Sequence, residues 1–266
     1  MKQPTRLETR MRGLGARKAL VTFITAGDPD ISVTVPAMHA LVAGGADVIE
    51  LGIPFSDPEA DGPVIQAASE RALAAGTHFV DVLSAVAEFR TRDPVTPVVL
   101  MGYLNTVTSQ SDFAVRAETA GVDALIIVNL PPEESMDFRH VHAGNHLDLV
   151  FLVAPTTTSH RIGTIAAAAS GFLYYVSFKG ITGASHLAVD EVREKVAAIK
   201  QQTRLPICVG FGIKDGATAA QVAAIADGVV VGTALVRIMA ETVGGPAAIA
   251  AALTTKVAEF RQAIDP

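Results

Sequence analysis

Eight short apolar runs, separated by longer alanine-rich stretches, limit the possible folds of this 266-residue chain more than any other feature. The runs fall at 19–25, 48–52, 98–101, 124–128, 149–153, 172–176, 207–210 and 228–231. They are rich in Val, Ile and Leu, as expected of strands covered on both faces in a parallel sheet. Helical patterns fill 32–43, 64–75, 80–90, 111–120, 133–142, 161–169, 188–202, 217–225 and 246–263, with turn and cap signals such as Asp28-Pro29-Asp30 and Ser159. Eight βα units in about 250 residues match the size of an α/β (β/α)8 TIM barrel. The expectation is a single barrel domain over 1–266, with an extra N-terminal helix. Its arginines, between Arg6 and Arg17, would form a solvated face closing the barrel bottom. An open doubly wound sheet satisfies the same spacing, because spacing alone does not prove closure.

Half of the residues are hydrophobic and the formal net charge is -6, so the chain has ample apolar material for one large core. Without a basic stripe or a run of Lys and Arg, nucleic acid and anionic membranes are excluded as main partners. No apolar run is long enough to span a bilayer, and the basic segment 1–18 lacks the apolar stretch of a signal peptide. A cytoplasmic location is expected. The single cysteine, Cys208, rules out an internal disulfide and sits in an apolar run where a buried thiol is expected.

In a barrel, the residues that follow each strand build the site. Glu50 lies within the run 48–52, where a charged side chain is costly unless it is used or paired. The loop that follows carries Pro54, Pro58 and Pro63, and it retains Asp57 and Asp61, so a second carboxylate is delivered on a stiffened segment. Polar or glycine-rich residues also follow strands three (Gly102, Tyr103, Asn105), four (Asn129) and six (177–183). Strands seven and eight end in Gly210-Phe211-Gly212 and Gly232-Thr233. Glycines there let backbone N–H groups approach an anion, and the short following helices add positive dipole ends, an arrangement suited to phosphate. The alternative is that they only make tight turns. Gly210, Gly212 and Gly216 do not have the dinucleotide spacing. His140, His142 and His146 are separated by Gly144-Asn145, which breaks the helical geometry a metal-binding pair needs, so no metal is expected. A Ser-His-Asp triad, a P-loop and a His-Glu-x-x-His motif are missing.

Residues 23–29, 50–63, 100–105, 130–135, 154–156, 174–183, 209–213 and 231–232 together resemble the tryptophan synthase alpha subunit family along nearly the whole chain. The resemblance implies retro-aldol cleavage of indole-3-glycerol phosphate to indole and glyceraldehyde 3-phosphate. It further implies a pyridoxal-phosphate beta subunit as partner in an alpha2beta2 assembly, and no cofactor in this chain. By the same resemblance, Glu50 is the catalytic acid/base, Asp61 the second catalytic carboxylate, and Tyr174 a site tyrosine that can hydrogen-bond Glu50 or substrate. Phosphate contacts carry over to Gly183, Gly212, Gly232 and Thr233, and pocket positions to Phe23, Leu100, Tyr103 and Thr182. Phe55 and Asp57 are expected to point outward toward the partner. Thr233 stands where Ser is common, Asn129 where Asp often stands, and Phe178-Lys179 depart from the family pattern.

Two other readings carry distinct signatures. Lys179 would serve a Schiff-base sugar-phosphate aldolase, although a lysine in a Gly/Thr loop stays charged in water. A non-catalytic, partner-activating barrel is the third reading, and the presence of both Glu50 and Asp61 counts against it.

Overall fold

A computed structural model describes residues 4–109, 112–141, 146–176, 186–210 and 212–265. The strands are β1 (Ala19–Thr25), β2 (Val48–Gly52), β3 (Val98–Gly102), β4 (Ala124–Ile127), β5 (Asp148–Leu149), β6 (Phe151–Val153), β7 (Leu173–Val176), β8 (Ile207–Gly210) and β9 (Gly228–Val231). They form one sheet in the order β5-β4-β3-β2-β1-β9-β8-β7-β6, and every pairing is parallel.

The two ends of that order are halves of one apolar run. β5 pairs with β4, β6 pairs with β7, and only Val150 separates them. The sheet therefore closes on itself through a fifth barrel strand that changes partner midway. An open doubly wound sheet would leave two edges, so closure selects the (β/α)8 TIM barrel.

Period-two alternation divides the strand side chains between two cores. Leu20, Ile49, Leu51 and Leu100 pack outward against the helices. Val21, Val48, Val99, Phe172, Cys208 and Val230 fill the barrel interior, and the Cys208 thiol is fully buried as expected. Helix starts follow local capping chemistry. Asp30 accepts from the Ser32 N–H at 2.8 Å to start Ile31–Ala43, and Asp215 accepts from the Thr218 N–H at 2.8 Å to start Gly216–Ala223. Two helices lie between the longer helical patterns, the unexpected one-turn Leu104–Thr108 and the nine-residue Thr233–Glu241, which is the short helix expected after the eighth strand. The second buries Leu235, Val236 and Met239. Among the described residues no single helix is long and apolar enough to cross a membrane.

The N-terminal helix Arg6–Gly13 closes the barrel bottom, with Leu7 and Met11 inserted into the interior core. A solvated arginine face describes it only in part. Arg6 pairs with Asp123 at 2.8 Å, while Arg10 and Arg17 pair with Asp47 at 3.3 and 3.1 Å. Both aspartates are buried, and a buried carboxylate needs such partners to remain ionised.

Candidate active site

Glu50 and Val99 are register partners on β2 and β3, and both face the barrel interior. Glu50 is 1% exposed, and its Oε2 has no hydrogen-bond partner among the described residues. Burial, followed by the nearby Asp61 charge, pushes its carboxyl up to about 8. At neutral pH it holds a proton that it can donate.

Asp61 arrives on the loop between β2 and the helix Pro63–Ala74. Burial raises its carboxyl, and a hydrogen bond from Tyr103 opposes that rise. Tyr103 Oη lies 3.2 Å from Asp61 Oδ2 and accepts from the Ala60 N–H at 3.1 Å. Gln66, one turn into the following helix, donates through Nε2 to the Asp61 carbonyl at 2.8 Å. The loop is thus held from both sides by side-chain bonds, in addition to the stiffness of its prolines. Two carboxyls with opposed proton demands, one neutral and one with a donor favouring its ionised form, meet at one place.

Both carboxyls open into a cavity of about 860 Å³ at the C-terminal ends of the strands. Its walls include Phe23, Tyr174, Gly212, Gly232 and Thr233, so the structure gathers these expected residues around Glu50 and Asp61. The remaining walls are largely apolar, with Ile127, Leu130, Phe151 and Val153 among them. Burial, then the Glu50 charge, pushes the Tyr174 hydroxyl well above its ordinary value, so it remains a proton donor.

Gly212 adopts φ +53°, in the left-handed region that favours glycine. Gly232 is the N-cap of Thr233–Glu241, so the first N–H groups of that helix, which lack intrahelical partners, sit at the cavity rim. Asn129 also lines the cavity, and its Oδ1 accepts from the Leu104 N–H at 2.7 Å. The amide thereby does the capping work that an aspartate in its place would do.

Three expected positions require correction. Leu100 does not line the cavity. It is 1% exposed in the outer core, because it is one residue out of phase with Val99, and Met101 takes the inward place. Tyr103 is absent from the main cavity wall and acts through Asp61. Phe55 projects outward only in part, being half-buried with its ring stacked on Tyr103, centroids 5.0 Å apart, whereas Asp57 is exposed. Thr182, Gly183, Phe178 and Lys179 lie outside the described residues, as do His142, Gly144 and Asn145.

Reading Met101 from the sequence required only carrying the β-strand parity from Glu50 across to β3. Gln66 has no comparable signal, since its role depends on how the loop folds back over the helix start.

Comparison with known proteins agrees with this geometry. The family model described as tryptophan synthase alpha chain matches residues 13–265. The chain is 53% identical over 267 residues to the tryptophan synthase alpha chain of Nitrosococcus oceani, covering 100% of this chain and 98% of that one. It is 52% identical to that of Alkalilimnicola ehrlichii, with 98% and 96% covered. Among solved structures, tryptophan synthase subunit alpha from Legionella pneumophila is similar with a TM-score of 0.90 at 45% identity, covering 98% and 99%. An open form of tryptophan synthase from M. tuberculosis with BRD0059 bound is similar at 0.86 and 34% identity, covering 98% and 99%. The chain belongs to the tryptophan synthase alpha chain family.

Proposed function

We propose that Glu50 and Asp61 perform the family's reaction, the retro-aldol cleavage of indole-3-glycerol phosphate to indole and glyceraldehyde 3-phosphate. The observation that carries this reading is a buried, neutral Glu50 beside Asp61 in an apolar cavity rimmed by glycines and a helix N-terminus.

Protonated Glu50 donates to the indole C3, and positive charge develops on the ring nitrogen. Ionised Asp61 accepts a hydrogen bond from that N–H and stabilises the charge. The Glu50 carboxylate then takes the proton of the side-chain hydroxyl as the C–C bond breaks, so the aldehyde forms and the residue returns to its starting state. Tyr174 keeps its proton throughout and serves as a donor. Gly212, Gly232 and Thr233 offer backbone N–H groups and one hydroxyl to the phosphate, with Gly183 and Thr182 assigned to the same pocket by resemblance.

No step requires a cofactor within this chain, and pyridoxal phosphate belongs to the beta subunit that consumes the indole. Asp57 and the 54–58 segment form the face assigned to that subunit in an alpha2beta2 assembly. A cytoplasmic location fits this role in amino-acid biosynthesis. The test is to incubate the purified chain with indole-3-glycerol phosphate and assay indole. Release of indole that disappears in Glu50→Gln supports the assignment, and a Glu50→Gln variant with wild-type turnover rejects it.

A further inference from the structure

A second, much smaller pocket of about 10 Å³ adjoins the main cavity and shares Phe23, Asp61, Ile65 and Met101 with it. That volume suits a single water molecule. Its polar walls come from four elements: Thr25 at the end of β1, Asp61 on the loop, Ser69 on the helix Pro63–Ala74, and Tyr103 after β3. Thr25 is 2% exposed, and its Oγ1 has no hydrogen-bond partner among the described residues. Leaving a buried hydroxyl unsatisfied costs about 1–3 kcal/mol, whereas valine would fill the same space without that cost. Tyr103 Oη already accepts from Ala60 and bonds Asp61, and it retains a lone pair.

We propose that this pocket binds one structural water that accepts from the Thr25 hydroxyl and donates to the Asp61 carboxylate and Tyr103 Oη, making Thr25 a positioning residue for Asp61. Three partners fall within the two to four that an ordered buried water makes. The inference rests on the reading of Asp61 as the carboxylate that must be ionised. It adds that Asp61 is held from behind by a solvent molecule as well as by Tyr103. Among the described residues, the other titratable groups facing Asp61 are Glu50 on β2, Tyr103 just after β3 and Tyr174 on β7.

A high-resolution crystal structure of the purified chain should show density for one water within about 2.6–3.2 Å of Thr25 Oγ1 and of Asp61. Thr25→Val should lose that density. It should also move the acidic limb of kcat/KM upward by about one pH unit, because a donor favouring the ionised carboxylate is gone. Thr25→Ser, which keeps the hydroxyl, should retain both the water and the wild-type limb. An empty pocket in the wild-type crystal, or an unchanged acidic limb in a folded Thr25→Val, overturns the proposal. If Thr25→Val does not fold, the wild-type density and the Thr25→Ser profile decide. Asp61→Asn tests the underlying reading separately: wild-type turnover in that variant would remove Asp61 from the chemistry, while the density would still judge the water.

Discussion

The two mouths of the barrel treat their carboxylates differently: Asp47, Asp123 and Asp227 at the bottom are all paired with cations, whereas at the top Asp28 is paired and Glu50 and Asp61 are not, among the described residues. At the bottom, Asp47, Asp123 and Asp227 each stand just before a strand and exchange two hydrogen bonds with the neighbouring strand. The Asp47 N–H donates to the Leu20 carbonyl at 2.8 Å, and the Leu20 N–H donates back to Asp47 Oδ2 at 2.9 Å. Asp123 repeats this with Val98, and Asp227 with Ile207. Each is also matched by cations: Arg261, Arg17 and Arg10 around Asp47, Arg90 and Arg6 around Asp123, and Lys200 on Asp227. At the top, Asp28 is paired in the same manner by a bidentate Arg71 at 2.7 and 2.9 Å. Among the described residues no cation pairs with Glu50 or Asp61, and one oxygen of Glu50 has no partner. The contrast separates carboxylates that clamp strands through cations and backbone N–H groups from a pair left without a cation beside the cavity.

The largest effect expected from this contrast is on rate. Glu50→Gln keeps the size of the side chain and removes the transferable proton, so kcat should fall about 10²–10⁴-fold with substrate binding retained, as read by steady-state kinetics and equilibrium titration. The same variant should be more stable than wild type at pH 8. Glu50 titrates at about 8 in the folded chain against 4.5 ordinarily. Its contribution to stability is therefore fully present below 4.5 and is lost as pH rises through 8. Thermal melts at pH 5 and pH 8 should show the variant gaining on wild type only at the higher pH. Wild-type kcat/KM should fall across the same region, since the donor form of Glu50 disappears.

Asp47→Asn should behave in reverse. Breaking a buried pair of this kind costs about 3–5 kcal/mol, so denaturant unfolding should shift strongly while kcat per folded molecule stays near wild type. A large kcat loss in a folded Asp47→Asn would erase the distinction between the two mouths.

A smaller change is expected at the phosphate rim. In Gly232→Val the added Cβ would lie 3.4 Å from the Phe23 Cβ, and its methyls would crowd the helix N–H groups. KM for the phosphorylated substrate should rise more than KM for a dephosphorylated analogue, and proportional loss of both would make Gly232 a turn residue only. The smallest effect concerns Asp57→Ala, which should leave basal cleavage nearly intact and reduce stimulation by the beta subunit. Cleavage assays with and without that subunit would show equal stimulation if the exposed carboxylate plays no part in docking.

The barrel was legible in the sequence because eight apolar runs at βα spacing leave few other ways to bury them. Glu50 was legible because an acid inside such a run needs a reason. The split of the fifth strand at Val150 was not, since hydropathy does not reveal which neighbour a residue bonds. Leu100 is expected in the pocket and Met101 occupies it, because adjacent residues on a strand face opposite cores and a one-residue error in phase inverts the reading. Along the sequence Tyr103 and Phe55 stand as independent contacts, one to substrate and one to partner. Their stacking is a product of the loop folding back on β3, for which local sequence carries no signal.

The clamp on Asp47 also bears on how the chain is made. Arg10 and Arg17 come from its beginning, whereas Arg261 comes from the helix Gly245–Ile264, and all three converge on one carboxylate. During synthesis the early arginines and the strand they hold emerge from the ribosome long before Arg261 does. The bottom of the barrel therefore cannot reach its final electrostatic state until the last helix is released. A chain shortened before Gly245–Ile264 would keep only Arg10 and Arg17 of the three arginines on Asp47.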